Sequence, residues 1–138
     1  MPHNLNMYSY AEWGNLMSAP AELLPDVMTD EGTIATDRLA KVLHITKAEL
    51  ALATGLSRDA VSKRDRLSSR QTQARLRDTV EIIHRTARWT GSVGHAFAWF
   101  RAQPLPSFGD KTAEDLVKEG RAQAVKDYLS RIAEGGFA

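Results

Sequence analysis

The sequence contains no cysteine among its 138 residues, which excludes disulfide bonds and thiolate metal sites. It also lacks any run of about 18 apolar residues, the length that a membrane-spanning helix needs. The first stretch, "MPHNLNMYSY", has neither the basic region nor the apolar region of a secretory signal peptide. We therefore expect a cytoplasmic protein with no membrane partner.

The sequence motifs of common enzyme classes are missing as well. There is no glycine-rich phosphate loop, no HExxH and no GxSxG. Glu81 and His84 in "EIIH" have the i, i+3 spacing of di-iron bundles, but such sites need a second copy and two further glutamates. With only one copy present, we read Glu81 as a surface residue. We predict no catalytic activity, no metal site and no cofactor.

Composition and charge point to a folded binding protein. Hydrophobic residues make up 43% and charged residues 25% of the chain, as in globular proteins, and its length suits one ordinary domain or two small ones. Residues 1–35 carry five carboxylates and no Lys or Arg, residues 36–90 carry 12 basic and 6 acidic residues, and residues 91–138 carry six of each. The basic surplus of the middle segment is compatible with nucleic acid binding, although solvated helix faces often carry as much charge.

Three segments follow from the pattern of breakers and apolar residues. In residues 1–35, prolines and glycines interrupt every apolar group; we interpret this segment as an irregular acidic arm that packs on its own body or on a partner. From Thr36 onward the apolar spacing is helical, with no strand-like alternation. The sequence therefore predicts an all-α fold, with one helical bundle over 36–90 and a smaller helical domain over 91–138.

Most predicted helices begin at identifiable capping residues. "TDRLAKVLHI" opens on a Thr/Asp cap, and "TKAE" at 46–49 matches a capping box before a helix that ends at Gly55. Ser57 caps "SRDAVSKRDRL", which we predict to be one helix. Further helices are predicted over about 71–89, in "SVGHAFAWFRA", in "TAEDLVKEG" with Thr112 as its cap, and in "RAQAVKDYLSRIAEGG".

Residues 46–67 have the spacing of a helix-turn-helix. Ala51 is small where the second helix crosses, Gly55 suits the positive φ of the turn, and Leu56 and Val61 fill the shared core. The alternative interpretation is a corner of two helices that serves packing only.

DNA binding is a separate prediction from this corner. Base-edge contacts would come from the N-terminal part of the second helix, and phosphate contacts from the basic side chains that follow it. Asp59 and Asp65 weaken the positive field, so useful affinity would require a homodimer on operator DNA. The candidate residues are Ser57, Arg58 and Ser62 for the bases and Lys63, Arg64, Arg66 and Arg70 for the phosphates.

The second half of the chain, "AWFRAQPLPSFGDKTAEDLVKEGRAQAVKDYLSRI" at 98–132, resembles the toxin-binding domain of the Xre/MbcA/ParS antitoxins. The shared features are a helix ending near Trp99, a proline-rich loop closing on Gly109, a helix opened by Thr112 and a terminal amphipathic helix. With the preceding helix-turn-helix, the resemblance covers about 36–134. The family commonly has a second glycine after Gly109, where this chain has Asp110.

The resemblance implies the antitoxin of a type II toxin–antitoxin module. Its partner would be a RES-domain toxin that degrades NAD or uses it to ADP-ribosylate targets, bound in a hetero-oligomer. The C-terminal domain would block the toxin's active-site cleft, and the helix-turn-helix would repress the module's own promoter. The alternative is a free-standing helix-turn-helix transcriptional regulator whose C-terminal bundle dimerises it or senses a ligand.

Candidate toxin contacts lie in the last third of the chain. Phe97, Trp99 and Phe100 cannot all face one helix stripe, so we expect at least one at an interface, although a wide core helix would also accommodate them. We further hypothesise that residues 121–138 reach the toxin's nucleotide cleft, with the alternative of a frayed end. The candidates are Trp99, Arg101, Asp115, Arg121, Lys126, Arg131, Glu134 and Phe137.

Overall fold

The structure, a computed structural model, describes residues 23–135. A short helical segment at 23–27 precedes the helices, and within this range only two isolated β-bridges occur and no strand. The predicted all-α fold is confirmed. The helices are α1 (Thr36–Leu43), α2 (Lys47–Thr54), α3 (Arg58–Ser62), α4 (Arg64–Leu67), α5 (Arg70–Thr90), α6 (Val93–Ala102), α7 (Ala113–Lys118) and α8 (Ala122–Glu134), with a 3-10 turn (Pro106–Phe108) before α7.

Hydroxyl side chains define where five of these helices begin. At each N-cap, a Ser or Thr oxygen accepts a hydrogen bond from the backbone N–H three residues later, which satisfies a donor that the helix itself leaves unpaired. The five capping residues are Thr46, Ser57, Ser69, Ser92 and Thr112.

The cap expected for α1 is wrong. The N-cap residue is Ala35, with no side-chain capping bond. The Thr36 hydroxyl is buried and instead donates a hydrogen bond of 2.7 Å to the Val61 carbonyl. It therefore serves tertiary packing between α1 and α3.

The single helix predicted for "SRDAVSKRDRL" is also wrong, because the chain breaks at Lys63. That residue is extended, with φ −93° and ψ 128°, and its carbonyl starts α4 by accepting from the N–H groups of Arg66 and Leu67. In an unbroken helix the N–H of Asp65 would donate to the Val61 carbonyl, the acceptor that the Thr36 hydroxyl uses here. The Thr36 hydroxyl, 25 positions upstream of Val61, thus bonds to a carbonyl that an unbroken helix would use.

The described part of the arm packs on the protein's own body. Leu23, Val27 and Ile34 are each at most 1% exposed. The buried Gln73 side chain accepts from Ile34 N–H at 2.7 Å and donates to the carbonyls of Ile34 and Leu67. One amide of α5 therefore links the arm and the end of α4.

One hydrophobic core runs through the described residues on both sides of the predicted boundary at 90/91. This core contains Leu23, Leu50 and Leu76 from before the boundary and Leu116 from after it. Helix α5 packs against α6 and α8, and α7 packs against α2. None of the helices described is both long and apolar enough to cross a membrane. The division into 36–90 and 91–138 stays a prediction.

Candidate functional site

An aromatic groove opens between the C-terminal parts of α6 and α8. The rings of Trp89 and Trp99 meet edge to face, with centroids 5.5 Å apart and an interplanar angle of 84°. The groove encloses about 570 Å³, the size range of ligand and peptide pockets. Its lining residues are Trp89, Trp99, Gln103, Tyr128, Arg131, Ile132 and Gly135.

A glycine turn brings the two tryptophans together. Gly91 ends α5 with φ 97°, a left-handed conformation that glycine adopts without strain. The chain then reverses into α6, where Phe97 and Phe100 stack with centroids 6.1 Å apart and are buried in the core. Trp99 is only partly buried and faces Trp89. The three aromatic residues of α6 are thus divided between the core and the groove.

Two arginine side chains lie over aromatic rings, one pair within α8 and the other between its N-cap and the preceding 3-10 turn. The Arg131 guanidinium lies 6.0 Å from the Tyr128 ring centroid, and the Arg121 guanidinium lies 5.7 Å from that of Phe108. Phe108 and Tyr128 themselves contact edge to face at 6.0 Å. The Arg121 guanidinium also lies 3.7 Å from Glu119 Oε1, and a guanidinium over a ring keeps N–H groups that can donate to a partner.

Of the predicted toxin contacts, Arg101 and Asp115 have partners within the chain. Arg101 Nε donates to Glu114 Oε1 at 2.8 Å, and Lys118 Nζ lies 2.9 Å from Glu114 Oε2; the Glu114 side chain is only 10% exposed. Asp115 completes the capping box of α7, where its carboxylate accepts from the Thr112 N–H at 3.0 Å. That backbone hydrogen bond lowers the pKa of Asp115, because it favours the charged form.

Lys126 connects α8 to α5. Its Nζ lies 2.7 Å from Asp78 Oδ1 and 3.2 Å from Glu81 Oε1, and its side chain is 16% exposed. Desolvation acts to lower the pKa of Lys126, but the hydrogen bonds to the two carboxylates outweigh it and raise the pKa overall. Glu81 also pairs with Arg85, so its exposed carboxylate is part of an ion-pair network.

The structure thus brings Trp99 and Arg131 together in the groove, while Arg121 is the N-cap residue of α8 and Glu134 is exposed at its last position. Phe137 lies outside the described residues. The sequence interpretation did not identify Trp89, Gln103, Tyr128 or Ile132 as groove residues. One usable signal was present: two tryptophans ten residues apart flank a glycine that follows a long helix.

The helix-turn-helix corner has the geometry that its sequence indicates. Gly55 has φ 74°, Ala51 is 3% exposed and Val61 is fully buried. All seven candidate DNA contacts are exposed, from Ser57 to Arg70, but so are Asp59 and Asp65. Because of the break at Lys63, the basic side chains come from two short helices and the start of α5.

No group of three or more His, Asp or Glu side chains in residues 23–135 is arranged to hold a metal ion. The described residues form a helical protein, with a helix-turn-helix corner followed by a small helical unit that carries an aromatic groove.

Residues 86–135 match the family described as the antitoxin Xre/MbcA/ParS C-terminal toxin-binding domain. This segment is similar to the toxin-binding domain of these antitoxins, and the resemblance found in the sequence is confirmed for it. No curated protein and no solved structure gives a significant match.

The departure from the family at Asp110 has a structural explanation. Asp110 has φ 66°, directly after Gly109 with φ 67°. Both residues of the turn are therefore left-handed, a conformation that favours glycine and that aspartate tolerates better than most residues.

Proposed function

We propose that this protein neutralises a cognate RES-domain toxin, one that consumes NAD or ADP-ribosylates a target, by binding over its active site. The main support for the proposal is that the groove lies within the matched segment. Every residue that lines the aromatic groove falls within 86–135, the segment that matches the toxin-binding domain. The protein would act by binding, without catalysis of its own, in the cytoplasm.

The composition of the groove supports a protein partner. Tryptophan, tyrosine and arginine are the residues that most often dominate protein–protein binding energy, and all three line this groove. Trp89 is 36% exposed, so its ring has surface left to bury against a partner. Arg101, Asp115 and Lys126 lie outside the lining of the groove; Arg101 and Lys126 link neighbouring helices, and Asp115 caps α7.

The test is the affinity of the purified toxin for two groove variants, measured by calorimetry. Trp99→Ala and Arg131→Ala should each weaken binding by about 30-fold, the effect of a residue worth about 2 kcal/mol. Arg66→Ala, which removes an exposed arginine of α4, is the matched control and should bind as the wild type does. Wild-type affinity in both groove variants, with native circular dichroism, would refute the groove as the toxin site.

The C-terminal tail is proposed to enter the toxin's nucleotide cleft. Deleting 132–138 would also remove Ile132 and Gly135 from the groove, so it cannot separate the two contributions. Phe137→Ala leaves the groove intact and should relieve inhibition of the toxin's NAD reaction. If Phe137→Ala inhibits the toxin as fully as the wild type, the tail does not block the cleft.

The helix-turn-helix is proposed to repress the module's own operon as a homodimer. Support comes from the exposed basic side chains of α3, α4 and the start of α5. Fluorescence anisotropy with the upstream DNA should show affinity that falls steeply with salt, and Arg64→Ala should reduce the slope by about one unit. Salt-independent binding would count against phosphate contacts.

Rescue of growth by co-expression with the adjacent toxin gene distinguishes an antitoxin from a free-standing regulator.

A further inference from the structure

Three grooves follow one another along α5, from the start of the described chain to the toxin-binding segment. The first encloses about 490 Å³ and is lined by Leu24, Pro25, Arg77, Val80, Glu81 and His84. The second, of about 280 Å³, is lined by Arg85, Arg88, Trp89, Leu129 and Ala133. Trp89 also lines the third, the aromatic groove. We call this path the α5 strip.

The α5 strip is apolar at its floor and cationic at its rim. Arg77 and Arg88 are exposed along it, and Arg131 is exposed at its far end. Glu81 is the carboxylate that lines the first groove, where it pairs with Arg85 and Lys126. The linings of the second and third grooves include no carboxylate. An occupant of matching chemistry is therefore apolar, aromatic and acidic.

Residues 1–22 have this chemistry, and they join the described chain at the first groove. They contain Glu12 and Glu22, no Lys or Arg, and the aromatic residues Tyr8, Tyr10 and Trp13. Leu23, the next residue, is buried, and Leu24 and Pro25 line the first groove. The α5 strip from Val80 to Trp89 extends about 14 Å at 1.5 Å per residue, whereas 22 extended residues reach up to about 70 Å.

We propose that residues 1–22 dock along the α5 strip of their own chain and cover Trp89 when no toxin is bound. The covalent connection at Leu23 holds the segment next to its site, which gives it a high effective concentration. The proposal also rests on the proposed function in one consequence: a toxin that binds the aromatic groove has to displace this segment.

Paramagnetic relaxation tests the docking without any toxin. Because the chain has no cysteine, Ser9→Cys provides a single spin-label position. The label should broaden the amide signals of Arg88, Trp89 and Arg131 severalfold, and Arg88→Ala should reduce the effect while Arg66→Ala does not. Absence of broadening along the α5 strip would overturn the proposal. A second sample mixes isotope-labelled chains without a spin label and spin-labelled chains without isotope. Broadening of the isotope-labelled signals in this mixture would also overturn the proposal, because the segment would then dock on a second copy.

Toxin affinity separates this proposal from the proposed function. If residues 1–22 cover the groove about 90% of the time, their deletion should tighten toxin binding about tenfold. Unchanged affinity after deletion would refute the competition. Failure of both the full chain and the truncated chain to bind toxin would refute the proposed function instead, and the relaxation result would still stand.

Discussion

Gly55→Ala provides a quantitative test of the contact between the helix-turn-helix corner and α7. Gly55 has φ 74°, and a Cβ built on it would lie 3.1 Å from Lys118 Cγ, 3.2 Å from Lys118 Cα and 3.1 Å from Arg75 Nη1. The Arg75 guanidinium has little freedom to retreat, because its Nη1 donates to the Thr54 carbonyl at 2.7 Å. An added methyl group therefore meets backbone on one side and a hydrogen-bonded side chain on the other.

Two costs contribute to the expected loss of stability. The left-handed conformation costs a non-glycine residue about 1–2 kcal/mol. Displacing the Arg75 hydrogen bond, or the Lys118 backbone by a few tenths of an ångström, adds about 1–2 kcal/mol. We expect Gly55→Ala to reduce the free energy of unfolding by about 2–4 kcal/mol in total.

Gly120→Ala is the matched control. Gly120 has φ 79°, and its added Cβ would find no atom within 4 Å, so it should cost only the conformational term of about 1–2 kcal/mol. Urea unfolding, followed by tryptophan fluorescence and by circular dichroism, measures both variants. Equal destabilisation of the two would show that Lys118 and Arg75 yield freely and would refute the reasoning.

Two further predictions concern charged groups. Lys126→Met should lower the free energy of unfolding by about 1–2 kcal/mol, since Asp78 and Glu81 lose their shared cation at a partly exposed site; an unchanged thermal midpoint would contradict it. The raised pKa of Lys126 means that this contribution is complete below the unfolded pKa, near 10.5, and is lost as the pH rises through the folded value. Asp115→Asn should cost at most about 1 kcal/mol. Because the pKa of Asp115 is lowered from 3.8, the difference between variant and wild type should be complete above that value and shrink as the pH falls through the folded pKa. A pH-independent difference would argue against the charged capping box.

Features encoded by neighbouring residues could be predicted from the sequence. The capping boxes at Thr46 and Thr112, and the left-handed turn at Gly55, each depend on side chains within four positions of the backbone they satisfy. The all-α fold follows from the same local signals. The family resemblance added the toxin-binding assignment, which no residue pattern in the C-terminal segment establishes alone.

Features created by tertiary contacts could not be predicted in this way. The break at Lys63 accompanies a hydrogen bond to the Val61 carbonyl from Thr36, 25 residues upstream of Val61. The aromatic groove needs Trp89 of α5 to meet residues of α6 and α8, and their pairing depends on how three helices pack. Lys126 similarly lies outside the apolar seam of α8, where an interface residue would be expected, yet its side chain is only 16% exposed and its partners are on α5.

The α2–α7 contact also constrains how this chain can be recombined with a related one. A chimera joined at 90/91 would place a foreign α7 against the Gly55 turn. In the native chain, Lys118 Cγ lies 3.1 Å from the position that a Cβ on Gly55 would occupy. The chimera would also separate Asp78 of α5 from Lys126 of α8. If the aromatic groove binds the toxin as proposed, an exchange of toxin specificity is best made by transplanting the exposed groove side chains of α6 and α8 onto an intact chain, with α7 left native.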